Sequence, residues 1–176
     1  MIINNIKLII LDVDGVLTDG KLLIGSDGIE YKTFNVKDGM GISVARYAGI
    51  KFAIITGRRS EAVSIRAKEL GIDYVFQGIS DKKEILIKLM NDLNVSKEEI
   101  CYMGDDLNDL PIIQEVGLSY APNDAVEVVK EKVSVVTEAN GGHGAVREMI
   151  ESIIKGQLDY NALINDYIYN KHKILQ

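Results

Sequence analysis

Short apolar segments alternate with longer amphipathic segments along most of the chain, and glycine or charged residues separate them. The run Leu8-Ile9-Ile10-Leu11 is apolar at every position, which is typical of a strand buried on both faces of a parallel sheet. The strands predicted from such runs are 8–11, 51–55, 73–76, 100–103, 118–121 and 133–136. Helices are predicted over 40–48, 60–70, 80–93 and 124–130. A further helix follows Asp109 and ends at about 116, and the last one begins at the glycines at 141–144 and ends at about 154. This alternation predicts an α/β fold with a doubly wound parallel sheet.

A small hairpin is predicted to interrupt the alternation after the first strand. Residues 21–25 and 29–34 are strand-like and flank Ser26-Asp27-Gly28, and an Asp-Gly step between two such segments favours a hairpin turn. We therefore predict a flap at about 18–34, beside the end of the first strand, and no large cap domain.

A C-terminal tail at 156–176 follows the predicted domain, 1–155. Over 158–173, large apolar residues recur at the three- and four-residue spacing of an amphipathic helix. They are Tyr160, Leu163, Ile164, Tyr167 and Ile168. The pattern is compatible with packing on the tail's own domain and equally with packing on a neighbouring subunit.

Composition narrows the class of protein. A chain of 176 residues with 47% hydrophobic and 26% charged residues suits one globular domain. The net charge of −6 argues against nucleic acid or an anionic membrane as the main partner. The single cysteine excludes an intramolecular disulfide and suits a reducing cytosol. Neither a signal peptide nor a membrane-spanning run is recognisable, so we expect a cytoplasmic protein.

Four clusters of polar residues follow the ends of predicted strands. They are Asp12 with Asp14, Thr56 with Arg58, Lys82, and Asp105 with Asp106 and Asp109. Right-handed strand–helix–strand connections bring these ends to one edge of the sheet. Two unit charges about 4 Å apart repel by roughly 4 kcal/mol at an effective dielectric constant near 20, so several carboxylates together require a cation. Oxygen ligands in a site that also accepts a phosphate favour Mg²⁺.

The same side chains suit phosphoryl transfer. Asp12 can attack phosphorus to form an aspartyl-phosphate, while Asp14 can protonate the leaving oxygen and later deprotonate water. Thr56 and Lys82 would bind the phosphate oxygens, and Asp105 would complete the metal site. Capping of the next element is the alternative for the Asp12–Asp14 pair, but capping does not account for the other three clusters.

These motifs resemble, in order, the four motifs of the haloacid dehalogenase phosphatase superfamily. They read Asp12-Val13-Asp14-Gly15-Val16-Leu17-Thr18, Thr56-Gly57-Arg58, Lys82, and Gly104-Asp105-Asp106-Leu107-Asn108-Asp109. The segments 17–20, 34–39 and 141–148 make the chain similar to one branch, the small capless phosphatases that act on 3-deoxy-D-manno-octulosonate 8-phosphate. The resemblance covers about residues 7–155.

The resemblance implies a Mg²⁺-dependent homotetramer whose flaps form a central barrel and whose tails can reach a neighbour's active site. It implies metal contacts from Asp12, the backbone carbonyl of Asp14, and Asp105. The residues that match substrate-contacting positions are Asp14, Asn35, Lys37, Asp38, Gly39, Thr56, Gly57, Arg58, Arg66 and Lys82. The implied reaction is hydrolysis of the 8-phosphate to 3-deoxy-D-manno-octulosonate and phosphate, in lipopolysaccharide sugar biosynthesis.

Several assignments keep an alternative. Phosphatases of nine-carbon sugar acids (KDN or N-acylneuraminate 9-phosphate) tend to carry Glu at Arg58, which favours the eight-carbon substrate here. His143 and Ser43 stand where relatives often have basic residues. Arg66 could instead be a solvated helix residue. Asp106 and Asp109 would orient Asp105 or Lys82, or Asp106 would cap a helix.

A receiver-like signalling domain is the alternative from another class. It also combines an acidic metal pocket with a Thr and a Lys. Its phosphoacceptor Asp, however, follows the third strand, and residues 73–76 are not followed by an Asp in this sequence.

Overall fold

The computed structural model describes residues 5–170, and the elements below lie within that range. The strands are β1 (Leu8–Leu11), β2 (Leu23–Ile24), β3 (Glu30–Tyr31), β4 (Lys51–Thr56), β5 (Tyr74–Gln77), β6 (Ile100–Met103), β7 (Leu118–Ala121) and β8 (Val135–Val136). The α-helices are α1 (Val36–Tyr47), α2 (Glu61–Leu70), α3 (Lys82–Leu93), α4 (Leu110–Ile113), α5 (Glu127–Lys130), α6 (Ala145–Gln157) and α7 (Tyr160–Asn170). Single 3₁₀ turns precede β6 and α4, at Lys97–Glu99 and Leu107–Asp109.

Six strands form one parallel sheet in the order β5-β4-β1-β6-β7-β8, which confirms the predicted fold class. The chain runs outward from β1 through β4 to β5, and then from β6 outward through β7 to β8. The connections that follow β1 and β6 therefore leave in opposite directions and open a crevice between the ends of these two strands. Such switch points are where open α/β sheets bind their ligands.

Both faces of the sheet are buried. Every residue of β1 is fully buried, as its uninterrupted apolar run predicts. Ile9 and Leu11 pack in the core that includes residues of α1, α2, α6 and α7. Leu8 and Ile10 pack in the opposite core, with residues of α3, α4 and α5. This helical cover on both sides fixes β1 at the centre of the molecule.

The flap is a two-stranded antiparallel hairpin of β2 and β3, as predicted, although each strand has only two paired residues. Within residues 5–170, no cap domain accompanies it. Helix α1 begins at residue 36, earlier than the predicted residue 40, because Asn35 caps it by accepting a hydrogen bond from the Lys37 N–H at 2.8 Å. Two helices are shorter than predicted: α4 ends at Ile113 and not at about 116, and α5 begins at Glu127 and not at 124.

Helix α7 packs against its own domain. The Tyr167 ring meets Tyr47 of α1 edge-on with centroids 5.4 Å apart, and its hydroxyl lies 2.9 Å from the Ser43 hydroxyl. Lys171 to Lys173, which complete the predicted tail helix, lie outside the described residues, so the predicted reach of the tail to a neighbour stays a prediction. Among the described residues, no helix is long and apolar enough to cross a membrane.

The loop before α6 lies directly against the loop after β1. A Cβ on Gly141 would stand 1.8 Å from the Gly15 carbonyl oxygen, and the Gly142 N–H donates to the Val16 carbonyl at 2.9 Å. Only glycine permits this approach. The C-terminal part of the domain thereby supports the loop that carries the first acidic cluster.

We predict that Gly141→Ala lowers the free energy of unfolding by about 1–3 kcal/mol, because the added methyl group forces the two loops apart. Urea unfolding measures the change. Gly156→Ala is the matched control, since Gly156 is exposed within α6, where alanine favours the helix. Equal stability of the Gly141 variant and wild type would contradict the tight contact.

Candidate active site

Two acidic side chains meet in the crevice between β1 and β6. Asp12 follows β1 and is 5% exposed, and Asp105 follows β6 after one glycine. One oxygen of each carboxylate, Oδ1, is buried and has no hydrogen-bond partner. Buried carboxylate oxygens without partners are unfavourable unless something compensates their charge.

Gly15 makes room for this pair. Its φ is +82°, and a Cβ there would lie 2.0 Å from Oδ2 of Asp105. Ligand atoms of Asp12, Asp105 and Asp109 lie within 4.8 Å of one another. The two oxygens without partners and the all-carboxylate donor set fit a hard divalent cation.

Lys82 is the cation that the structure already provides. It begins α3, is 3% exposed, and its Nζ lies 3.1 Å from Asp12 Oδ2 and 2.6 Å from Asp109 Oδ1. The Tyr102 hydroxyl donates to the same Asp109 oxygen at 2.5 Å. Lys82 therefore holds one oxygen of Asp12 and leaves the other free.

Asp109 orients the loop after β6. Its Oδ2 accepts from the N–H groups of Asp105 at 2.8 Å and Asp106 at 3.2 Å. Because Lys82 and Tyr102 occupy its other oxygen, Asp109 is engaged on both sides and Asp105 is the freer metal ligand. Asp106 caps the following turn by accepting from the Leu107 N–H at 2.7 Å, in line with the capping alternative.

The segment after β4 borders the cleft on its other side. Thr56 is 3% exposed, and its hydroxyl accepts from the Arg58 N–H at 3.4 Å. The Arg58 guanidinium is half exposed, forms an ion pair with Glu30 of the flap, and lies 3.8 Å from Asp14 Oδ2. Thr56 can therefore offer a hydroxyl to a phosphate at the bottom of the cleft, and Arg58 a charge at its mouth.

The flap contributes two charged residues that sequence reasoning missed. Lys32 forms an ion pair with Asp14 Oδ1 and lies 3.0 Å from Glu30 Oε1, and its side chain is only 1% exposed. Glu30 begins β3 and Lys32 directly follows it, so the two are two positions apart and face the same side. The two-residue spacing of Glu30 and Lys32 is visible in the sequence, but it does not show which side of the flap faces Asp14.

The cleft between these elements has a volume of about 220 Å³. Its lining residues are Asp12, Asp14, Gly20, Thr56, Gly57, Arg58, Asp105, Asp106 and Asn108. Gly20 and Asn108 are the lining residues that were not among the predicted site residues. The remaining predicted catalytic residue, Lys82, is not among the lining residues, but its Nζ lies 3.1 Å from Asp12 Oδ2.

Comparison with known proteins decides the family. The sequence pattern of haloacid dehalogenase-like hydrolases matches residues 75–150. The chain is 45% identical over 157 residues to the 3-deoxy-D-manno-octulosonate 8-phosphate phosphatase of Escherichia coli K12, an alignment that spans 88% of this chain and 84% of that protein. The chain belongs to this phosphatase family of haloacid dehalogenase-like hydrolases. The resemblance seen in the sequence is confirmed.

Solved structures agree with that assignment. The Moraxella catarrhalis 3-deoxy-D-manno-octulosonate 8-phosphate phosphatase, in complex with magnesium, phosphate and KDO, matches with a TM-score of 0.90 and 41% identity over 93% of this chain and 94% of that one. The Yersinia pestis phosphatase matches with a TM-score of 0.86 and 45% identity over 87% and 83%. The chain is therefore similar to the family in both its sequence and its fold.

The residues predicted at 35–39 do not line the cleft of the single chain. Asn35 donates to the Gly142 carbonyl at 3.2 Å in the loop before α6, and buried Asp38 accepts from the Arg147 N–H at 2.8 Å in the first turn of α6. Lys37 is exposed. Gly39 lies against Arg66, since a Cβ there would stand 2.5 Å from the Arg66 guanidinium.

Three further residues lie away from the cleft. Arg66 forms an ion pair with Glu69 at 3.1 Å, and its Nε is buried without a partner, so it is not a fully solvated helix residue. His143 is exposed, with Nδ1 2.8 Å from the Gly141 carbonyl. Ser43 contacts α7. Substrate contacts by Arg66 and the 35–39 segment stay predictions.

Charge crowding perturbs the titration of the acids. Burial, reinforced by Asp109 and Asp12, raises the pKa of Asp105 to about 8. Burial also raises the pKa of Asp12 to about 6, against the opposing attraction of Lys82. Burial alone would lower the pKa of Lys82, but Asp12 and Asp109 outweigh it and raise that pKa, so Lys82 stays charged.

We predict that Mg²⁺ binds more tightly as pH rises from 6 to 8, by about tenfold per unit, because binding must displace the proton of Asp105. Without metal, the raised pKa values of Asp12 and Asp105 favour stability at low pH, and that contribution is lost as pH rises through about 6 and 8. Calorimetric titration measures the affinity, and Asp105→Asn should abolish its steep pH dependence. A pH-independent affinity in the wild type would contradict the assignment.

Proposed function

We propose that this phosphatase hydrolyses 3-deoxy-D-manno-octulosonate 8-phosphate to the free sugar acid and phosphate, through an aspartyl-phosphate on Asp12. The observation that carries the proposal is the asymmetric environment of Asp12. Lys82 holds one oxygen of the Asp12 carboxylate at 3.1 Å, while the other oxygen has no hydrogen-bond partner. Asp12 itself lines the cleft. A nucleophile requires one oriented, uncommitted oxygen.

Lys82 and Thr56 bind the transferring phosphoryl group in this proposal. Both are buried beside Asp12, where a charge or dipole acts more strongly than in water. The backbone N–H of Arg58 holds the Thr56 hydroxyl at 3.4 Å, which orients it before substrate arrives. Charge that develops on the phosphoryl oxygens thus meets groups already in position.

Asp14 moves the protons. Its carboxylate lines the cleft two residues beyond the nucleophile, where it can protonate the departing sugar oxygen and then take a proton from the water that attacks the phosphoenzyme. Arg58, at the mouth of the same cleft, suits the planar carboxylate of a sugar acid.

Asp12 and Asp105 would hold Mg²⁺, and Asp105 offers the ion an oxygen that has no protein partner. The ion supplies positive charge against the repulsion between the carboxylates and the phosphate. The names of the relatives support the eight-carbon substrate over a nine-carbon one, as does Arg58. A cytoplasmic location, expected from the cysteine content, stays a prediction.

Phosphate release tests this function. Wild-type protein with Mg²⁺ should turn over the eight-carbon 8-phosphate with a higher kcat/KM than nine-carbon sugar acid 9-phosphates, and removal of the metal with EDTA should abolish turnover. Asp12→Asn should lower kcat by more than about 1,000-fold, because the attacking oxygen is lost. Asp92→Asn, at an exposed carboxylate of α3 paired with Lys88, is the matched control and should be unaffected. Undiminished turnover by the Asp12 variant, or a stable phosphoprotein without multiple turnover, would rule the mechanism out.

We also propose that the chain forms a homotetramer through its flaps. The flap exposes large apolar side chains: Leu22, Leu23, Ile24, Ile29 and Tyr31 are each between 50% and 62% exposed. Leu23 lies opposite Tyr31, on the face that is turned away from Glu30. Exposed apolar patches of this kind mark interaction surfaces. The tail, through residues beyond the described part of α7, would contact a neighbour in the same assembly.

Light scattering after size exclusion tests the assembly. Wild type should have the mass of four 19.4 kDa chains. Leu23→Asp, opposite Tyr31 in the hairpin, should lower that mass, because a desolvated carboxylate opposes burial of the flap. Ile87→Asp on α3, where Ile87 is 50% exposed, makes the same change elsewhere and should leave the mass unchanged. A monomeric wild type would refute the proposal.

A further inference from the structure

Four charged side chains form a closed ring above the cleft. In order, Asp14 contacts Lys32, Lys32 contacts Glu30, Glu30 contacts Arg58, and Arg58 returns to Asp14 at 3.8 Å. Two members belong to the flap, and the other two follow β1 and β4. Signs alternate around the ring, so every charge has opposite neighbours.

Lys32 is the least accessible member of this ring. Its side chain is 1% exposed, compared with 22% for Asp14, 17% for Glu30 and 48% for Arg58. It does not line the cleft, whereas Asp14 and Arg58 do. A desolvated ammonium with two carboxylate partners stays where its partners are, because leaving either one uncovers a charge.

We infer that Lys32 is a positioning residue that orients the Asp14 carboxylate for proton transfer to the leaving oxygen. Lys32 pairs with Oδ1 of Asp14 and does not itself line the cleft, so it restricts the side-chain torsions of a carboxylate that does line it. General-acid catalysis depends on such placement, since small displacements of a catalytic group have large effects on rate. Lys32 acts through Asp14 and does not touch the substrate.

The inference rests on the proposed function, in which Asp14 protonates the leaving oxygen. It therefore predicts a dependence on the leaving group. A sugar alkoxide needs a proton as it departs, whereas 4-nitrophenolate is stable enough to leave without one. A merely structural role for Lys32 would affect both kinds of substrate alike.

The experiment compares kcat/KM for 3-deoxy-D-manno-octulosonate 8-phosphate and 4-nitrophenyl phosphate in wild type and Lys32→Met. The sugar phosphate should lose about 10- to 100-fold and the aryl phosphate less than about threefold. Lys32→Arg keeps a cation between the two carboxylates and should restore most of the sugar phosphate activity. Lys21→Met is the control, since Lys21 lies on the same flap, is exposed, and pairs only with Asp19 in the ion pairs described.

Equal losses for both substrates, or no loss for either, would overturn the positioning role while wild-type turnover still supports the proposed function. If the wild type hydrolyses neither substrate, both proposals fail. Lys32→Gln keeps a polar side chain of similar reach and replaces Lys32→Met if that variant does not fold. It should show the same difference between the two substrates.

Discussion

The structure of the site depends on one buried charge. Lys82 is enclosed with Asp12, Asp109 and the Tyr102 hydroxyl, all of them at most 5% exposed. Without its ammonium, two buried carboxylates would face each other in a medium where like charges repel strongly. With it, Asp12 keeps a fixed orientation. The second oxygen of Asp109 can then accept hydrogen bonds from the N–H groups of Asp105 and Asp106, which shape the loop that carries Asp105.

That arrangement is possible because of where the sheet changes direction. The crevice between β1 and β6 brings Asp12 and Asp105 together, and α3 delivers Lys82 from beneath. Gly15 leaves the space that the Asp105 carboxylate occupies. Burial and the repulsion among the neighbouring carboxylates raise the pKa of Asp105, and they are the chemical reason for a divalent cation at this edge.

The central strand β1 and the acidic residues that follow the strands could be predicted from the sequence, because each has a local pattern. An apolar run predicts β1, and acids that follow successive strands must meet at one sheet edge. Tyr102 could not be predicted in the same way, since a tyrosine within an apolar strand is usually a core residue and its hydroxyl partner comes from tertiary packing. Glu30 and Lys32 depend on which face of a two-residue strand turns inward, which periodicity alone does not determine. The 35–39 segment was predicted from resemblance alone, and in one chain it braces α6.

Successive side chains of the flap face opposite sides, so one face bears on the proposed function and the other on the proposed assembly. Along β3 and the residue after it, Glu30 and Lys32 turn toward the acids while Tyr31 between them is half exposed on the other face. A two-stranded hairpin of four paired residues has little stability of its own. The ion pairs hold its inner face to Asp14 and Arg58, and subunit contacts would cover its outer face. Among the described residues the chain has no cap domain, so the hairpin that we propose a neighbour covers would also be the element that orients the proton donor.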